Sequence, residues 1–350
     1  VTHQPAAPFK HTSGPRDAKV VLVGEAWGAQ EELTGSPFVG AAGQELTRLL
    51  KESGLTRGQC LLTNVLALRP PNNDLDAISA SKTEVGGKAY VHAPLRQGKY
   101  LRPEFLGEVD RLREELVAHP RNLVIALGNT ACWALLGSGR ISSIRGSFTM
   151  SSLVPNLKVL PTYHPSAVLR NWAYRPIVLA DLMKAHRDSG FPEIRRPERY
   201  VIVNPDLAQI AEWAQRPATH YAVDIETCAR QITMIGFARS RADAIVIPFW
   251  GQERGQSHYW QTPEMEVQAW KLVNSLLESE KRKIFQNGLF DLQYILKMGL
   301  KPKNCIEDTM LLHHSLFPEM PKGLGFLGSV YTVESPWKLM RHSESMKADE

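Results

Sequence analysis

Four short apolar runs constrain this chain more than any other feature of it. Ala18–Gly24 (AKVVLVG), Leu61–Leu66, Leu123–Gly128 and Lys158–Thr162 each have strand length and little polarity, the pattern of strands buried on both faces. Helical stretches are predicted between them, Ala42–Glu52 after the first run and Asn129–Leu136 after the third. Buried strands alternating with helices predict an α/β fold with a parallel sheet covered on both sides. Ligands of such sheets bind at the carboxyl ends of the strands.

The chain has 350 residues, more than one core usually spans, so two domains are expected. His186–Arg199 (HRDSGFPEIRRPER) carries charge, Gly and Pro without an apolar period and reads as a linker. This sets the domains at 1–188 and 200–350, with 189–199 between them. Past the linker, Tyr200–Val203, Tyr221–Asp224, Ile232–Ala238 and Ala244–Pro248 read as strands, and Pro205–Gln215 and Pro263–Leu277 as helices. Strands in succession followed by helices predict a mixed sheet. Between Asp74 and Leu101 the sequence is irregular and rich in Ser, Gly, Lys and Arg. It reads as a surface insertion, either in contact with DNA or simply solvated.

No apolar run is long enough to span a bilayer, and no charged stretch followed by an apolar core marks a secretion signal. The chain opens on Val rather than Met, so a processed or cut start is expected. Cys60, Cys132, Cys228 and Cys305 lie far apart with no CxxC pair. That spacing argues against a zinc ribbon and a disulfide framework and for reduced thiols in the cytoplasm. Charge is uneven: residues 1–190 hold 22 Lys and Arg against 16 Asp and Glu, a net of +6. Residues 191–350 hold 19 against 20, a net of −1. A basic first half suits a phosphate backbone.

Four segments of the first half belong together: GEAWG (Gly24–Gly28), TGSPFVGAAG (Thr34–Gly43), TNVLALRPPNN (Thr63–Asn73) and HPS (His164–Ser166). Singly, each has a structural reading as a tight turn or a core residue. In this order, after predicted strands, they match the needs of base excision, in which a nucleotide leaves the stack and its edge is read in a pocket. Phe38 offers a stacking face, and Asn64 an amide that presents donor and acceptor to uracil. His164 offers a donor to the departing base, and Glu25 a carboxylate to position water or stabilise an oxocarbenium-like sugar.

Over roughly residues 18–185 these segments resemble the family 4 uracil-DNA glycosylases. The resemblance implies a three-layer α/β/α fold with Glu25 and His164 as catalytic residues. It implies Phe38, Asn64 and Asn73 as uracil-binding residues, and Pro165 and Ser166 in a loop that presses into the DNA minor groove. Two departures stand out. Trp27 occupies the place of a proline in the family's GEAPG, and Leu68 the place of a cysteine. The family's iron–sulfur cluster needs four thiolates, so no cluster is expected.

Downstream, VDIET (Val223–Thr227) ends a predicted strand. Asp224 and Glu226, two apart, fall on one face of it. Like charges side by side favour a cation, and Mg²⁺ or Mn²⁺ is the natural oxygen-bound partner. NGLFD (Asn287–Asp291) supplies a third acid, Asp291. With EDTMLLHHSLFP (Glu307–Pro318) and KGLGFLGSVYT (Lys322–Thr332), this series resembles the 3′→5′ proofreading exonuclease domain of family A DNA polymerases, phage ones in particular. The resemblance covers roughly residues 198–338 and implies an RNase-H-like fold. It implies Asp224, Glu226 and Asp291 as metal ligands, Asn287 as support for the site and Asp308 as structural. The family's last motif, a Tyr followed by a final Asp ligand, is not found before Glu350, so a C-terminally truncated exonuclease domain is expected.

The combined reading is a hydrolase of DNA repair and replication. It would be the N-terminal part of a phage-type family A DNA polymerase, in the host cytoplasm. Its partners would be single-stranded and primer-template DNA and a polymerase domain C-terminal to this chain, with no membrane. Two alternatives stay open: a non-catalytic module that reads uracil or a modified pyrimidine, and a stand-alone repair protein.

Overall fold

Residues 3–86, 93–251 and 258–336 are described by the structure, a computed structural model. Part of the insertion, residues 87–92, and the end of the expected second domain, residues 337–350, lie outside the described residues.

The first unit is built on the four apolar runs. Its strands in chain order are β1 (Val20–Gly24), β2 (Cys60–Asn64), β3 (Ser79–Ala80), β4 (Tyr100–Leu101), β5 (Leu123–Leu127), β6 (Thr149–Met150) and β7 (Lys158–Thr162). The main sheet has the order β2-β1-β5-β7-β6. Its pairs are parallel except at the edge, where β6 runs antiparallel to β7. All residues of β1, β2, β5 and β7 are buried, and alternation divides them between two cores. Val21 and Val23 face one core, with Leu112 and Leu116 of helix Leu106–Val117 and Trp133 of helix Asn129–Leu136. Val20 and Leu22 face the other, with Leu46 and Leu49 of helix Ala41–Ser53 and Leu182 of helix Arg175–Asp188. The result is the expected three-layer α/β/α arrangement. Burial of each such Leu contributes roughly 1.5–3 kcal/mol. The insertion carries the small antiparallel pair β3–β4.

The second unit contains β8 (Tyr200–Val203), β9 (His220–Cys228), β10 (Gln231–Ser240), β11 (Asp243–Pro248), β12 (Arg282–Phe285) and β13 (Cys305–Asp308), in the order β13-β12-β9-β10-β11-β8. β9, β10 and β11 form an antiparallel meander, and β12 runs parallel to β9 and to β13. This is the RNase-H-like mixed sheet, with β8 added beside β11. β9 extends past its predicted end at Asp224 to Cys228. It then turns into β10 through Ala229 and Arg230, both at positive φ (48° and 64°). Two-residue hairpin turns of this hand favour Asn-Gly or Asp-Gly, so the Ala-Arg pair leaves the hairpin unmarked in sequence.

One boundary differs from expectation. The described residues divide into those up to Arg195 together with Gly325–Pro336, and those within Arg196–Leu324. The sequence pattern places the segment after Gly325 in the second domain, but its described residues pack in the first unit. The cause is a pair of buried cations. Lys184 donates to the carbonyls of Ser329 and Thr332, and Arg145 donates to the Ser329 hydroxyl. Among the described residues no helix is long and apolar enough to cross a membrane.

Candidate active site

Strand ends bring the first site together. Glu25 follows β1, Asn64 closes β2 and His164 stands two residues beyond β7. Glu25, Phe38, Asn64, Asn73 and His164, all expected from sequence, line one cavity of about 1280 Å³. Gly24 sits where two of them converge. A Cβ there would lie 2.3 Å from Asn64 Oδ1 and 2.5 Å from Phe38 Cζ, so only glycine leaves the amide and the ring their places.

The supports of these groups carry little signal in sequence. Phe38 is buried and holds a left-handed φ of 58°, which a bulky residue keeps only under restraint. Arg57 donates to the carbonyls of Pro37 (3.2 Å) and Phe38 (3.0 Å). Glu31 accepts from the N–H groups of Gly28, Val39 and Gly40 at 3.0–3.2 Å. The Asn64 carbonyl accepts from Arg111 (2.7 Å), which pairs in turn with Glu108 and Glu115. The only sequence signal for this buried triad is charge at i, i+3 and i+7 on an otherwise apolar face. The Thr130 hydroxyl donates to Glu25 (2.5 Å) and orients its carboxylate.

His164 is held in one tautomer. The Ser166 N–H donates to His164 Nδ1 at 3.1 Å, and the Ser166 hydroxyl lies 2.8 Å from the same atom. A ring that accepts at Nδ1 carries its proton on Nε2 when neutral. Burial, helped by the positive charge of Arg170, lowers the His164 pKa to about 4. Near neutral pH it is therefore an uncharged Nε2–H donor. Its ring lies near-parallel to Phe38, with centroids 6.1 Å apart.

Other expected residues take different places. Asn73 is exposed at the cavity mouth, and its Oδ1 accepts from Arg69 (2.8 Å). Pro165, expected in a loop that presses into DNA, is buried as the first residue of helix Pro165–Arg170. His164 is the N-cap of that helix, and Leu169 and Arg170 are exposed at its other end. Ser166 is half-buried against His164. Trp27 is buried with its ring edge-on to His11 (centroids 4.5 Å, 85°), and its backbone N–H donates to the Leu68 carbonyl. Leu68 packs against the core that also holds Trp133. Cys60 and Cys132 are buried, and burial pushes their thiols up to about 11 and about 12. Cys228 and Cys305 belong to the other unit. These residues do not fit a four-thiolate cluster.

In the second unit, Asp224 and Glu226 are exposed on one face of β9, as alternation predicts, while Val223 and Ile225 point into the core. Asp291 is buried and accepts from the Ile225 N–H (3.2 Å). Burial first, then the charge of Asp224, raises its pKa to about 6. Asn287 begins helix Gly288–Lys297 in the left-handed region, with φ 56°. Asp308 accepts from the N–H groups of Asn287, Gly288 and Met310, so it caps two helix starts, the structural part expected of it. Among the described residues no group of three or more His, Cys, Asp or Glu is placed to hold a metal ion. Asp291 is turned toward the β9 backbone through its bond from the Ile225 N–H.

Asp291 carries a pH prediction. A carboxyl raised on folding contributes stability below the unfolded pKa and loses it as pH rises through the folded value. The window therefore runs from about 4 to about 6. Asp291→Asn keeps the acceptor for Ile225. It is expected to stabilise the second unit at pH 7.5 by no more than about 3 kcal/mol and to flatten stability across that window. Urea unfolding in chelator at pH 4 and 7.5 checks this, and equal effects at both pH values would refute it.

Residues 11–184 match the uracil DNA glycosylase superfamily. The type-4 uracil-DNA glycosylase of Thermotoga maritima is 34% identical over 174 residues, which is 49% of this chain and 78% of that protein. The type-4 uracil-DNA glycosylase of Archaeoglobus fulgidus is 34% identical over 169 residues, 47% of this chain and 71% of that one. The chain thus belongs, through its first unit, to the uracil DNA glycosylase superfamily. Among solved structures, the EXD2 exonuclease domain soaked in Mg and GMP aligns with a TM-score of 0.25 and 13% identity. It covers 43% of this chain and 76% of that one, a likeness too loose to bear on the chemistry.

Proposed function

We propose that the first unit excises uracil from DNA, with single-stranded DNA as its better substrate. The observation that carries this reading is the locked, uncharged Nε2–H of His164, which shares a cavity with Glu25, Phe38 and Asn64. In the proposed reaction the extruded uracil stacks on Phe38, and the Asn64 amide reads its edge. As the C1′–N1 bond breaks, its electron pair leaves with the uracil. His164 donates to O2, where the negative charge gathers. Glu25 orients a water toward C1′, and that water's hydroxide completes the sugar while its proton ends on the released base. Asn73 at the mouth completes the uracil set, and Ser166 acts by holding His164. A uracil-containing oligonucleotide incubated with the chain is expected to acquire alkali-labile abasic sites. Uracil-dependent binding without such sites would replace excision by a reader function.

The second unit is proposed as a 3′→5′ exonuclease module, and the whole chain as the N-terminal part of a phage-type family A DNA polymerase. The RNase-H-like strand order and the DIET and NGLFD acids support this reading. With Asp224, Glu226 and Asp291 as the proposed ligands of Mg²⁺ or Mn²⁺, the chain is expected to trim 3′-labelled single-stranded DNA in Mn²⁺ slowly. That trimming should disappear on Asp224→Ala; undiminished digestion by the variant would place cleavage elsewhere.

A further inference from the structure

The cavity is larger than one base needs. Its 1280 Å³ exceeds the roughly 300–1,000 Å³ of pockets that enclose whole drug-sized ligands. The surplus is walled by two segments outside the glycosylase motifs. One is the return of the insertion, Ala93–Gly98, and the other the turn Gly137–Ile141.

Both segments are fixed to the base site. Trp133 donates from its indole nitrogen to the Ala93 carbonyl (2.6 Å), and Leu95 is buried in the core. The tip closes as a tight turn, with Lys99 N–H donating to the Arg96 carbonyl and Leu95 N–H to the Lys99 carbonyl, both at 2.8 Å. Gln97 and Gly98 take the positive φ values (49° and 77°) that such a turn requires. The second segment is tied to the strand end beside His164, since the Ile141 N–H donates to Asn129 Oδ1 at 3.1 Å. The two segments touch: a Cβ on Gly139 would stand 3.9 Å from the Leu95 carbonyl oxygen. Arg96 and Arg140 therefore rise from adjoining backbone at the rim, and both are exposed. Neither guanidinium has a carboxylate or hydrogen-bond partner among the described residues, whereas Arg69, bonded to the cavity residue Asn73, is taken up by Asn73 and Glu32.

We infer that Arg96 and Arg140 form a phosphate clamp for the strand that delivers the extruded nucleotide, and that the insertion exists to supply half of it. This inference rests on the proposed function of the same cavity. A planar guanidinium with five donors suits phosphate oxygens. Two of them over a cavity with room beyond the base would grip the phosphates on either side of the flipped nucleotide. Such contacts position the strand without reading its sequence.

The test is binding of a fluorescent single-stranded oligonucleotide with one central uracil, across a salt series, to the full chain and to Arg96→Ala, Arg140→Ala and the double variant. Each single variant is expected to weaken binding roughly threefold to tenfold and to flatten the slope of log affinity against log salt by about 0.7. The double variant should lose about twice that slope. Arg96→Lys keeps a charge and should keep the slope. In excision assays the two alanine variants should raise KM and leave kcat unchanged. Affinity and slope equal to the parent chain in all variants, or no binding of the oligonucleotide by the parent, would overturn the clamp. Arginine-dependent binding by a chain that excises nothing would uphold the clamp and sink only the excision reading.

Discussion

Replacement of His164 by alanine is expected to slow uracil release by about 10²–10³-fold while leaving affinity for uracil-containing single-stranded DNA nearly unchanged. The size follows from the loss of one preorganised donor to a developing anion, worth roughly 2.7–4 kcal/mol in comparable sites. The effect falls on kcat because the charge on uracil O2 appears only as the C1′–N1 bond breaks, so the donor's contribution is made in the transition state. The structure adds a sharper expectation. With its pKa lowered to about 4 and Nδ1 occupied by the Ser166 N–H, His164 is neutral throughout the range in which a free histidine titrates. The rate should therefore show no inflection near pH 6.5, the unperturbed value. A fall in activity centred there would mean that an imidazolium does the work. Ser166→Ala retains the backbone donor to Nδ1 and removes the hydroxyl, so its rate should drop much less than that of the alanine at 164. Single-turnover excision at several pH values reads all three expectations, and a His164→Ala rate within threefold of the parent would sink the assignment.

The legible parts of this molecule are those whose reasons are local. Strands buried on both faces read as unbroken apolar runs, so β1, β2, β5 and β7 are plain in the amino-acid sequence. Their order implies that whatever follows them will meet, and Glu25, Phe38, Asn64 and His164 do share a cavity. The groups that hold those residues act across long separations. Arg111 reaches Asn64 from 47 positions away, marked only by the spacing of Glu108, Arg111 and Glu115 on an apolar helix face, and Glu31 gathers three backbone donors from two loops with nothing in its neighbourhood to mark it. The β9–β10 hairpin is hidden for the opposite reason, because its turn residues, Ala229 and Arg230, are poor in local signal. Pro165 is ambiguous in sequence because a proline after a histidine reads equally well as a loop or as the first residue of a helix, and only the packing of helix Pro165–Arg170 decides. The segment after Gly325 is apolar enough to predict burial, but sequence does not say against which domain a helix is buried.

That last segment leads to the second large expected effect, the loss of stability when the first unit is cut off at residue 195. All of the proposed excision residues precede that point, so a chain ending there retains the whole site but lacks Gly325–Pro336. Lys184 is buried in helix Arg175–Asp188, and its ammonium donates to the carbonyls of Gly146 (2.6 Å), Ser329 and Thr332 (2.5 Å). Two of those three acceptors would go. Arg145 would lose the Ser329 hydroxyl (3.1 Å) and the Phe326 ring, whose centroid lies 5.0 Å away. Leu327, buried, would leave the fold as well. Hydrogen bonds to a charged group contribute about 1.5–3 kcal/mol each and a buried Leu a similar amount, with water entering the gap to offset part of the loss. The net is on the order of 3–5 kcal/mol, which for a domain of this size lowers the melting temperature by roughly 10 °C. The site would be affected too. Arg145 pairs with Asp181, Asp181 accepts from the Thr162 hydroxyl (2.7 Å), and Thr162 stands two residues before His164. Slower excision is therefore expected even below the melting transition. In the uncut chain, Lys184→Met is expected to destabilise the same transition by about 3 kcal/mol, because three buried carbonyls lose their donor. Calorimetry on the three proteins, with a synthetic 325–336 peptide added to the short one, decides the matter. A short chain that melts within about 2 °C of the first unit in the full chain, and gains nothing from the peptide, would show that the segment does not hold this domain together.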